Sequence, residues 1–230
     1  FGTGGPNSSS PGIAFAAIYL NTSGAWIENA DIHDNAVNGI KLYMTDPSTT
    51  IVNATVTRSG KPLGGINDMA GVFSRSSNNG GASLQNLEVS ESPGPGIFVS
   101  KGSISGSNWH SHDNGAQGLS VRELFPYVDD LLLANNGLSG LRVYDSKQVW
   151  FSNLTTRSNG FSAPSPQTGT GMVFVKSNDL MAAGNIVQCV DCTSENDNWG
   201  AIRVENSVDL RFVDLTVRDP VLVQGQSAIV

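Results

Sequence analysis

Basic and aromatic residues recur at one position of a short repeated pattern, and their types suit recognition of an acidic polymer. Between Gly140 and Tyr144 apolar residues alternate with Arg142 and Tyr144, and one repeat earlier Arg122 follows the same alternation. A guanidinium binds carboxylate or sulfate groups through two parallel hydrogen bonds, and an aromatic ring offers a flat surface on which sugars stack. The pattern therefore indicates a binding site for an anionic polysaccharide.

The stretch that carries these residues occurs twice at a fixed interval. Asn114–Val121 reads Asn-Gly-Ala-Gln-Gly-Leu-Ser-Val, and 22 residues later Asn136–Val143 reads Asn-Gly-Leu-Ser-Gly-Leu-Arg-Val. Turn residues beside an alternating apolar triplet predict a corner followed by a strand. A fixed period predicts a solenoid in which each turn pairs only with its neighbours. The glycines that open the clear copies are Gly39, Gly96, Gly118, Gly140, Gly171 and Gly200, with a less clear copy between Gly65 and Ser74.

A second alternation in each repeat places a short polar residue at a recurring corner. Asn and Asp tolerate the left-handed backbone conformation and bond to their own backbone, which suits a sharp bend. Cys189 is the one departure in this alignment. The aligned corner residues are Asn29, Asn53, Asn86, Asn108, Asp130, Asn153 and Asp214.

A minimal turn of 22 residues with asparagine corners resembles the right-handed parallel β-helix of the pectin-lyase-like superfamily. The resemblance covers Ile13 to Val217 and implies an all-β solenoid of about eight turns, with 22–31 residues per turn. Residues 1–12, rich in Gly, Pro and Ser, are expected to form a flexible arm. Residues 13–230 are expected to form one domain of a longer chain, because neither end of the solenoid carries a capping helix.

The superfamily resemblance implies no single activity, since this fold carries lyases, glycosidases, epimerases, tailspikes and non-catalytic surface proteins. Alginate C5-epimerases carry Asp-Pro-His followed by an acid, whereas Asp46-Pro47-Ser48 and Asp219-Pro220-Val221 lack the histidine. The Asn-Thr-Asp motif of polygalacturonases is also absent. The site therefore has to be sought in the residues that vary within the repeat.

In each opening strand the apolar residues are predicted to point inward and those between and after them outward. In the copy after Gly171 this assigns Val173 and Val175 to the inside. Neighbouring turns stack roughly 4.8 Å apart, so the outward residues would form a ladder. The predicted catalytic residues on it are Arg122, Arg142, Tyr144 and Lys176. The predicted substrate-binding residues are Lys41, Tyr43, Phe98, Phe174, Arg203 and Glu205.

All three histidines fall in a second outward column after the asparagine corner. His110 and His112 share a face, and Glu88 of the preceding turn is predicted to lie beside His110, whereas His33 is about three turns away. Two imidazoles and a carboxylate could ligate a metal or perform acid–base work, so His110 and His112 are reserve catalytic candidates. Surface histidines without such partners are usually inert, and that alternative stays open.

Composition limits the other assignments. The chain of 230 residues carries 13 basic and 20 acidic residues, and its net charge of −7 argues against nucleic-acid binding. No apolar run reaches the length of a membrane span. Cys189 and Cys192 are expected to be free thiols, Cys192 in the core and Cys189 in a turn. No cofactor is predicted with certainty, although acidic clusters such as Asp129-Asp130 could hold Ca²⁺.

Two classes of function are consistent with these patterns. The first is an extracellular or cell-surface enzyme on an acidic polysaccharide, most simply a lyase or hydrolase. In a lyase, Arg or Lys would neutralise the uronate carboxylate while Tyr, Lys, Arg or His removes the C5 proton. The second is a non-catalytic tailspike segment, adhesin or filament subunit that forms homo-oligomers or stacks end to end through its open strand edges.

Overall fold

The computed structural model describes residues 16–21, 24–43, 45–46, 48–60, 69–75, 81–146, 149–175, 187–207 and 210–224. The predicted arm 1–12 and Lys176 lie outside these residues. The described chain is all-β apart from one short helix, α1, at Pro166–Gly169. None of the described helices is long and apolar enough to cross a membrane. The strands are β1 (Ala16–Leu20), β2 (Trp26–His33), β3 (Asn38–Tyr43), β4 (Thr50–Thr57), β5 (Val72–Arg75), β6 (Gly81–Ser90), β7 (Ile97–His112), β8 (Leu119–Ala134), β9 (Leu141–Tyr144), β10 (Trp150–Arg157), β11 (Met172–Val175), β12 (Val187–Val190), β13 (Thr193–Glu195), β14 (Ile202–Glu205), β15 (Leu210–Val213), β16 (Thr216–Val217) and β17 (Val221–Gln224).

Every described strand pairing is parallel, and each strand pairs with its equivalent one repeat further along. Ile97 pairs with Leu119 and Leu119 with Leu141, which are the 22-residue steps predicted from the sequence. The opening strands form one series: β1, β3, β5, β7, β8, β9, β11, β14 and β17. A second series runs through β2, β4, β6, β7, β8 and β10, and continues through β12 with β13 and β15 with β16. This curled parallel sheet is a parallel β-helix.

The core lies inside the coil and is built from stacked apolar columns. Ile40, Leu119 and Leu141 belong to one column, and each is completely buried. Full burial of such a side chain stabilises the fold by about 1.5–3 kcal/mol, so the repeated inward positions supply the main driving force. The inward alternation predicted for most opening strands is confirmed.

The copy in β11 contradicts the predicted inward alternation. Met172 pairs with Leu141 and Phe174 with Val143, so Met172 and Phe174 point into the core, while Val173 and Val175 point outward. The prediction was wrong by one residue because the segment 172–175 is apolar throughout and its sequence carries no alternation. The predicted substrate-binding residue Phe174 is therefore a fully buried core residue that packs edge-on against Phe212, with ring centroids 5.7 Å apart.

The recurring corner adopts the left-handed conformation that its residue types predict. All seven aligned Asn and Asp residues have positive φ, from 49° at Asn153 to 56° at Asn108. The exposed side chains of the first four, from Asn29 to Asn108, bond to one another along the solenoid. Asn86 Nδ2 donates to Asn53 Oδ1 at 2.8 Å, and Asn108 Nδ2 donates to Asn86 Oδ1 at 3.0 Å.

Cys189 is not the exception at this corner, and the two cysteines are not free. Val190 pairs with Ser152, so Asp191, with φ 52°, takes the corner position equivalent to Asn153. Because the Asp191 corner bends the chain between the two cysteines, the side chains of Cys189 and Cys192 can both point inward. Cys189 and Cys192 are therefore both buried and form a disulfide with a Cα–Cα distance of 6.0 Å. The free-thiol prediction was wrong because it assigned the bend to Cys189 itself.

The disulfide predicts a measurable loss of stability when it is removed. The double variant Cys189→Ala/Cys192→Ala is expected to lose about 2 kcal/mol of unfolding free energy, because a crosslink this short restricts the unfolded chain only modestly. Urea denaturation measures the loss. Native protein should show no thiol reactive with Ellman's reagent, and denatured, reduced protein should show two thiols. Reactive thiols in unreduced protein would contradict the disulfide.

A second column of asparagines lies inside the coil, where the sequence predicted only turns. Asn114, Asn136 and Asn159 are completely buried, and each side-chain oxygen accepts the backbone N–H one repeat earlier along the chain. The left-handed residues are those just before them, Asp113 and Asn135. The glycine of each Asn-Gly pair allows adjacent turns to stack closely, because there is no room for a side chain. A Cβ on Gly137 would lie only 2.4 Å from the Gly115 carbonyl oxygen.

Asp197 continues this column with a carboxylate. Its Oδ1 accepts Asn159 N and Asn159 Nδ2, both at 2.9 Å, and its Oδ2 accepts the hydroxyls of Ser194 at 2.7 Å and Thr156 at 3.0 Å. Burial raises the pKa of the Asp197 carboxyl above its usual value, and the hydrogen bonds from Ser194, Asn159 and Thr156 offset part of that rise. Asp197 therefore holds its proton to a higher pH in the folded protein than in the unfolded chain.

This difference gives the stability a pH dependence of defined sign. Between the unfolded pKa of 3.8 and the raised folded pKa, the folded state binds more protons, so the contribution of Asp197 to stability falls as pH rises. Asp197→Asn removes the titration, and the two hydroxyls can accept its amide. The stability of Asp197→Asn relative to wild type should therefore increase as pH rises through this window. Urea midpoints measured at successive pH values test this, and a pH-independent difference would contradict it.

Candidate functional site

The outward residues of the opening strands form two columns in register. One column contains Lys41, Phe73, Phe98, Ser120, Arg142, Val173 and Arg203, and the other contains Tyr43, Arg75, Ser100, Arg122, Tyr144, Val175 and Glu205. Apart from the β11 copy, this is the arrangement that the alternation predicted. Parallel pairing places successive members on adjacent turns, roughly 4.8 Å apart.

Lys41 and Arg203 of the first column are covered, which corrects two further predictions. Lys41 is 7% exposed, with its Nζ 5.4 Å from the Phe73 ring centroid and 6.0 Å from that of Tyr19. Arg203 is 4% exposed, and its Nη2 donates to Glu205 at 2.8 Å. The prediction of substrate-binding roles for Lys41 and Arg203 assumed exposed strand positions, whereas both side chains are buried among other groups of the protein.

One group of accessible residues in these two columns lies at the middle of the solenoid. We call Phe98, Ser100, Ser120, Arg122, Arg142 and Tyr144 the central patch; Arg122 is exposed and the other five are half-buried. They come from three consecutive turns, in β7, β8 and β9. Four of the predicted site residues thus lie together. Tyr43 and Glu205 are half-buried on more distant turns and do not join them.

Contacts within the central patch distinguish its two arginines. Arg122 and Tyr144 are partners in register, and the Arg122 guanidinium lies 5.6 Å from the Tyr144 ring centroid, a cation–π contact that orients both groups. Arg142 has no hydrogen bond or ion pair with any residue that the structure describes. By contrast, Arg58, Arg203 and Arg218 each pair with a carboxylate. Arg142 therefore presents a half-buried cation, on an otherwise acidic protein, that is available to an anionic ligand.

The histidine pair lies on a different face, in the second strand series. Glu88 is in register with His110, as predicted, and the His110 and His112 ring centroids are 4.2 Å apart. The carboxylate contacts His112 rather than His110. His112 Nε2 lies 3.3 Å from Glu88 Oε1, and His112 Nδ1 lies 2.6 Å from Asp113 Oδ2. The two ring nitrogens of His112 are thus both engaged by carboxylates.

This arrangement favours a neutral His110 beside a carboxylate-bound His112. Burial lowers the pKa of His110, and the neighbouring His112 lowers it further, whereas Glu88 acts in the opposite direction. Among the described residues, no group of three or more His, Cys, Asp or Glu side chains could hold a metal ion. The buried Asp197 also has both carboxylate oxygens occupied by protein donors. Catalytic roles for His110 and His112 stay predictions.

The sequence reasoning missed an aromatic pair on the second strand series. Tyr127 and Trp150 are in register, their ring centroids are 5.9 Å apart, and both are exposed. A signal for them was present. Each lies three residues before an aligned corner residue, Asp130 or Asn153, at a position where an outward large aromatic residue in two successive repeats is unusual.

No protein-family model and no curated protein sequence matches the chain. Among solved structures, it is similar to the A-module of the mannuronan C-5 epimerase AlgE4 from Azotobacter vinelandii, with a TM-score of 0.58 and 15% identity over 92% of this chain and 59% of that one. It is also similar to the enzymatically active domain of tailspike protein 2 of bacteriophage CBA120, with a TM-score of 0.56 and 9% identity over 90% of this chain and 39% of that one.

The present chain thus spans less than two thirds of the length of either similar structure. At 15% and 9% identity, the structural similarity establishes the fold alone. The chain therefore has a parallel β-helix architecture, in keeping with the 22-residue repeat.

Proposed function

We propose that the central patch binds an acidic polysaccharide and removes the C5 proton of a uronate residue. The observation that carries this proposal is the Arg142 guanidinium, which is half-buried, has no hydrogen bond or ion pair among the described residues and lies in register with Ser120. A uronate carboxylate would satisfy it with two parallel hydrogen bonds. The two solved structures support a carbohydrate ligand, since one is a mannuronan epimerase module and the other a tailspike enzymatic domain.

In the proposed reaction, each part of the patch has a defined role. Arg142 neutralises the carboxylate, which stabilises the negative charge that develops at C5 when its proton leaves. Tyr144 is our candidate base, and the Arg122 guanidinium 5.6 Å from its ring centroid holds the ring in place. Phe98 offers a sugar-stacking surface one turn before Ser120. Loss of a C4 substituent after proton removal gives a lyase, and reprotonation gives an epimerase.

Hydrolysis is less well supported by the side chains present. Glycosidases generally use two carboxylates that flank the scissile bond. None of the six side chains of the central patch carries a carboxylate. We therefore favour proton abstraction over a hydrolase, which the sequence had left open.

The proposal also covers the location of the protein, the handedness of its solenoid and its self-association. We infer an extracellular or cell-surface location, which the buried Cys189–Cys192 disulfide supports because disulfides persist in oxidising compartments. We infer a right-handed solenoid from the strong right-handed preference of crossovers between parallel strands, and about eight turns from the sequence repeat. End-to-end or other homo-oligomeric association stays a prediction of the exposed strand edges, which light scattering would test.

The full chain can be tested with alginate, polygalacturonate and hyaluronate in D₂O. Deuterium incorporation at C5, detected by NMR, reports proton abstraction followed by reprotonation, whereas elimination leaves C5 without a hydrogen in an unsaturated uronate. Ultraviolet absorbance of an unsaturated uronate then distinguishes a lyase from an epimerase. A polymer panel that is neither bound, exchanged nor cleaved would overturn the proposal.

A further inference from the structure

Tyr127 and Trp150 form a small aromatic platform on a face separate from the central patch. They lie on β8 and β10 in the second strand series, and their rings are inclined at 48° with centroids 5.9 Å apart. Tyr127 is 52% exposed and Trp150 is 42% exposed. Large aromatic side chains on adjacent turns that leave about half of their surface in water offer an apolar area that a ligand can cover.

The described neighbours of the platform are polar groups that can both donate and accept hydrogen bonds. Ser105 pairs with Tyr127 on one side, and Gln188 pairs with Trp150 on the other. Two residues along the same strands lie Asp129 and Ser152, which are also in register. Two flat rings thus occupy the middle of a short row of hydroxyl, amide and carboxylate groups.

Asp129 has an acceptor left over. Its Oδ1 accepts the Ser152 hydroxyl at 2.6 Å and Asn153 Nδ2 at 2.9 Å, and these bonds fix the carboxylate. No residue that the structure describes donates to its Oδ2. A fixed carboxylate oxygen beside an aromatic surface is a ready acceptor for a ligand hydroxyl.

We propose that this platform binds an uncharged polysaccharide segment. Sugar rings would stack on Tyr127 and Trp150 while their hydroxyls bond Asp129 Oδ2, Gln188 and Ser105. Tyr127 and Trp150 lie on adjacent turns, which stack roughly 4.8 Å apart along the solenoid axis. A sugar chain that contacts both rings therefore runs along that axis. The site is distinct from the one proposed for uronates around Arg142, and the two assignments can fail independently.

Charge and size favour this ligand over the alternatives. Asp129 and the exposed corner residue Asp130 lie beside the rings, and the described cation in the same column, Arg211, is two turns away from Trp150. Phosphate or uronate polymers would therefore be repelled. A stable protein interface buries about 800 Å² per partner, far more than two rings bordered by polar groups can offer.

Affinity electrophoresis of the full chain tests the assignment, with gels containing glucomannan, xyloglucan or galactan and, as acidic arms, alginate or polygalacturonate. Trp150→Ala and Tyr127→Ala should each weaken binding to a neutral polymer roughly tenfold. Trp26→Ala is the matched control, because Trp26 is an exposed tryptophan in the same outward column, pairing with Thr50. Both Trp26→Ala and Arg142→Ala should retain neutral-polymer binding.

The outcomes separate the two proposed sites. Retardation by a neutral polymer that is lost in Trp150→Ala and Tyr127→Ala, but kept in Arg142→Ala, supports the platform even if no uronate polymer binds. Failure of all three neutral polymers to retard the wild type overturns it. Undiminished retardation of Trp150→Ala, or retardation through Trp150 by the acidic polymers only, overturns it too. Circular dichroism of each variant confirms that lost retardation reflects lost binding.

Discussion

Replacing Arg142 by Ala is expected to lower the rate of C5 proton abstraction from the responsive uronate polymer by about 100-fold or more. The guanidinium is the half-buried cation without a described hydrogen bond or ion pair, and loss of one group that stabilises developing negative charge typically costs that much. Arg142→Lys should recover only part of the activity, because an ammonium keeps the charge but loses the bidentate geometry. The rates of wild type and variants are compared at saturating polymer, by NMR of deuterium incorporated at C5 or by ultraviolet absorbance of an unsaturated uronate.

Arg211→Ala provides the matched control for Arg142→Ala. Arg211 is exposed and lies on β15 in the second strand series, where it pairs with Gln188. Its removal changes the net charge by the same amount while leaving the central patch intact. Equal losses in the two variants would mean that general electrostatic attraction, and not a site at Arg142, carries the activity. Unfolding midpoints should be unchanged in both variants, since neither side chain is bonded to another described residue.

Replacing Asn136 by Ala is expected to cost about 3–5 kcal/mol of unfolding free energy. Its Oδ1 accepts Asn114 N at 3.2 Å and Asn114 Nδ2 at 3.0 Å, and its Nδ2 donates to Ser111 O at 3.1 Å and to Asn159 Oδ1 at 2.9 Å. All these groups lie in the interior, so the truncation leaves several buried polar atoms without partners. Urea or guanidinium denaturation followed by circular dichroism measures the loss.

Asn108→Ala distinguishes the buried ladder from the exposed one. Asn108 donates one exposed side-chain hydrogen bond, to Asn86, and has φ 56°. Its replacement should cost only about 1–2 kcal/mol, mainly from placing a Cβ-bearing residue without local hydrogen bonding in the left-handed region. A loss for Asn136→Ala no larger than that for Asn108→Ala would show that the interior column is not a principal source of stability.

The predicted register was accurate where the apolar alternation was complete. Gly118-Leu119-Ser120-Val121 and Gly140-Leu141-Arg142-Val143 carry one apolar residue at every second position, and the structure pairs them as the sequence does. In β11, Met172-Val173-Phe174-Val175 offers four apolar residues in succession. A strand that is apolar on both faces leaves its orientation to its neighbours, and pairing with β9 decided it.

The candidate site was predictable in its residue types but not in its extent. Outward orientation follows from the alternation along one strand, so Arg122, Arg142 and Tyr144 could be assigned together. Exposure depends on what packs above the strand, which the alternation does not report. Lys41 and Arg203 share the outward orientation of Arg142 yet are nearly buried. Lys41 lies against the Tyr19 and Phe73 rings of neighbouring turns, whereas Arg203 donates to Glu205 of its own strand.

By itself, the sequence determined the parallel β-helix, its 22-residue step and its left-handed asparagine corners, because these depend on local turn chemistry and on a repeat that every turn restates. The tertiary structure alone decided how the polar residues are used. Stacking turned the asparagines of the Asn-Gly pairs into a buried ladder, closed the Cys189–Cys192 disulfide across the Asp191 corner and buried Lys41 and Arg203 while leaving Arg142 accessible. Each of these outcomes depends on groups 20 or more residues apart, or on a bend between near neighbours, which become adjacent only when the coil is formed.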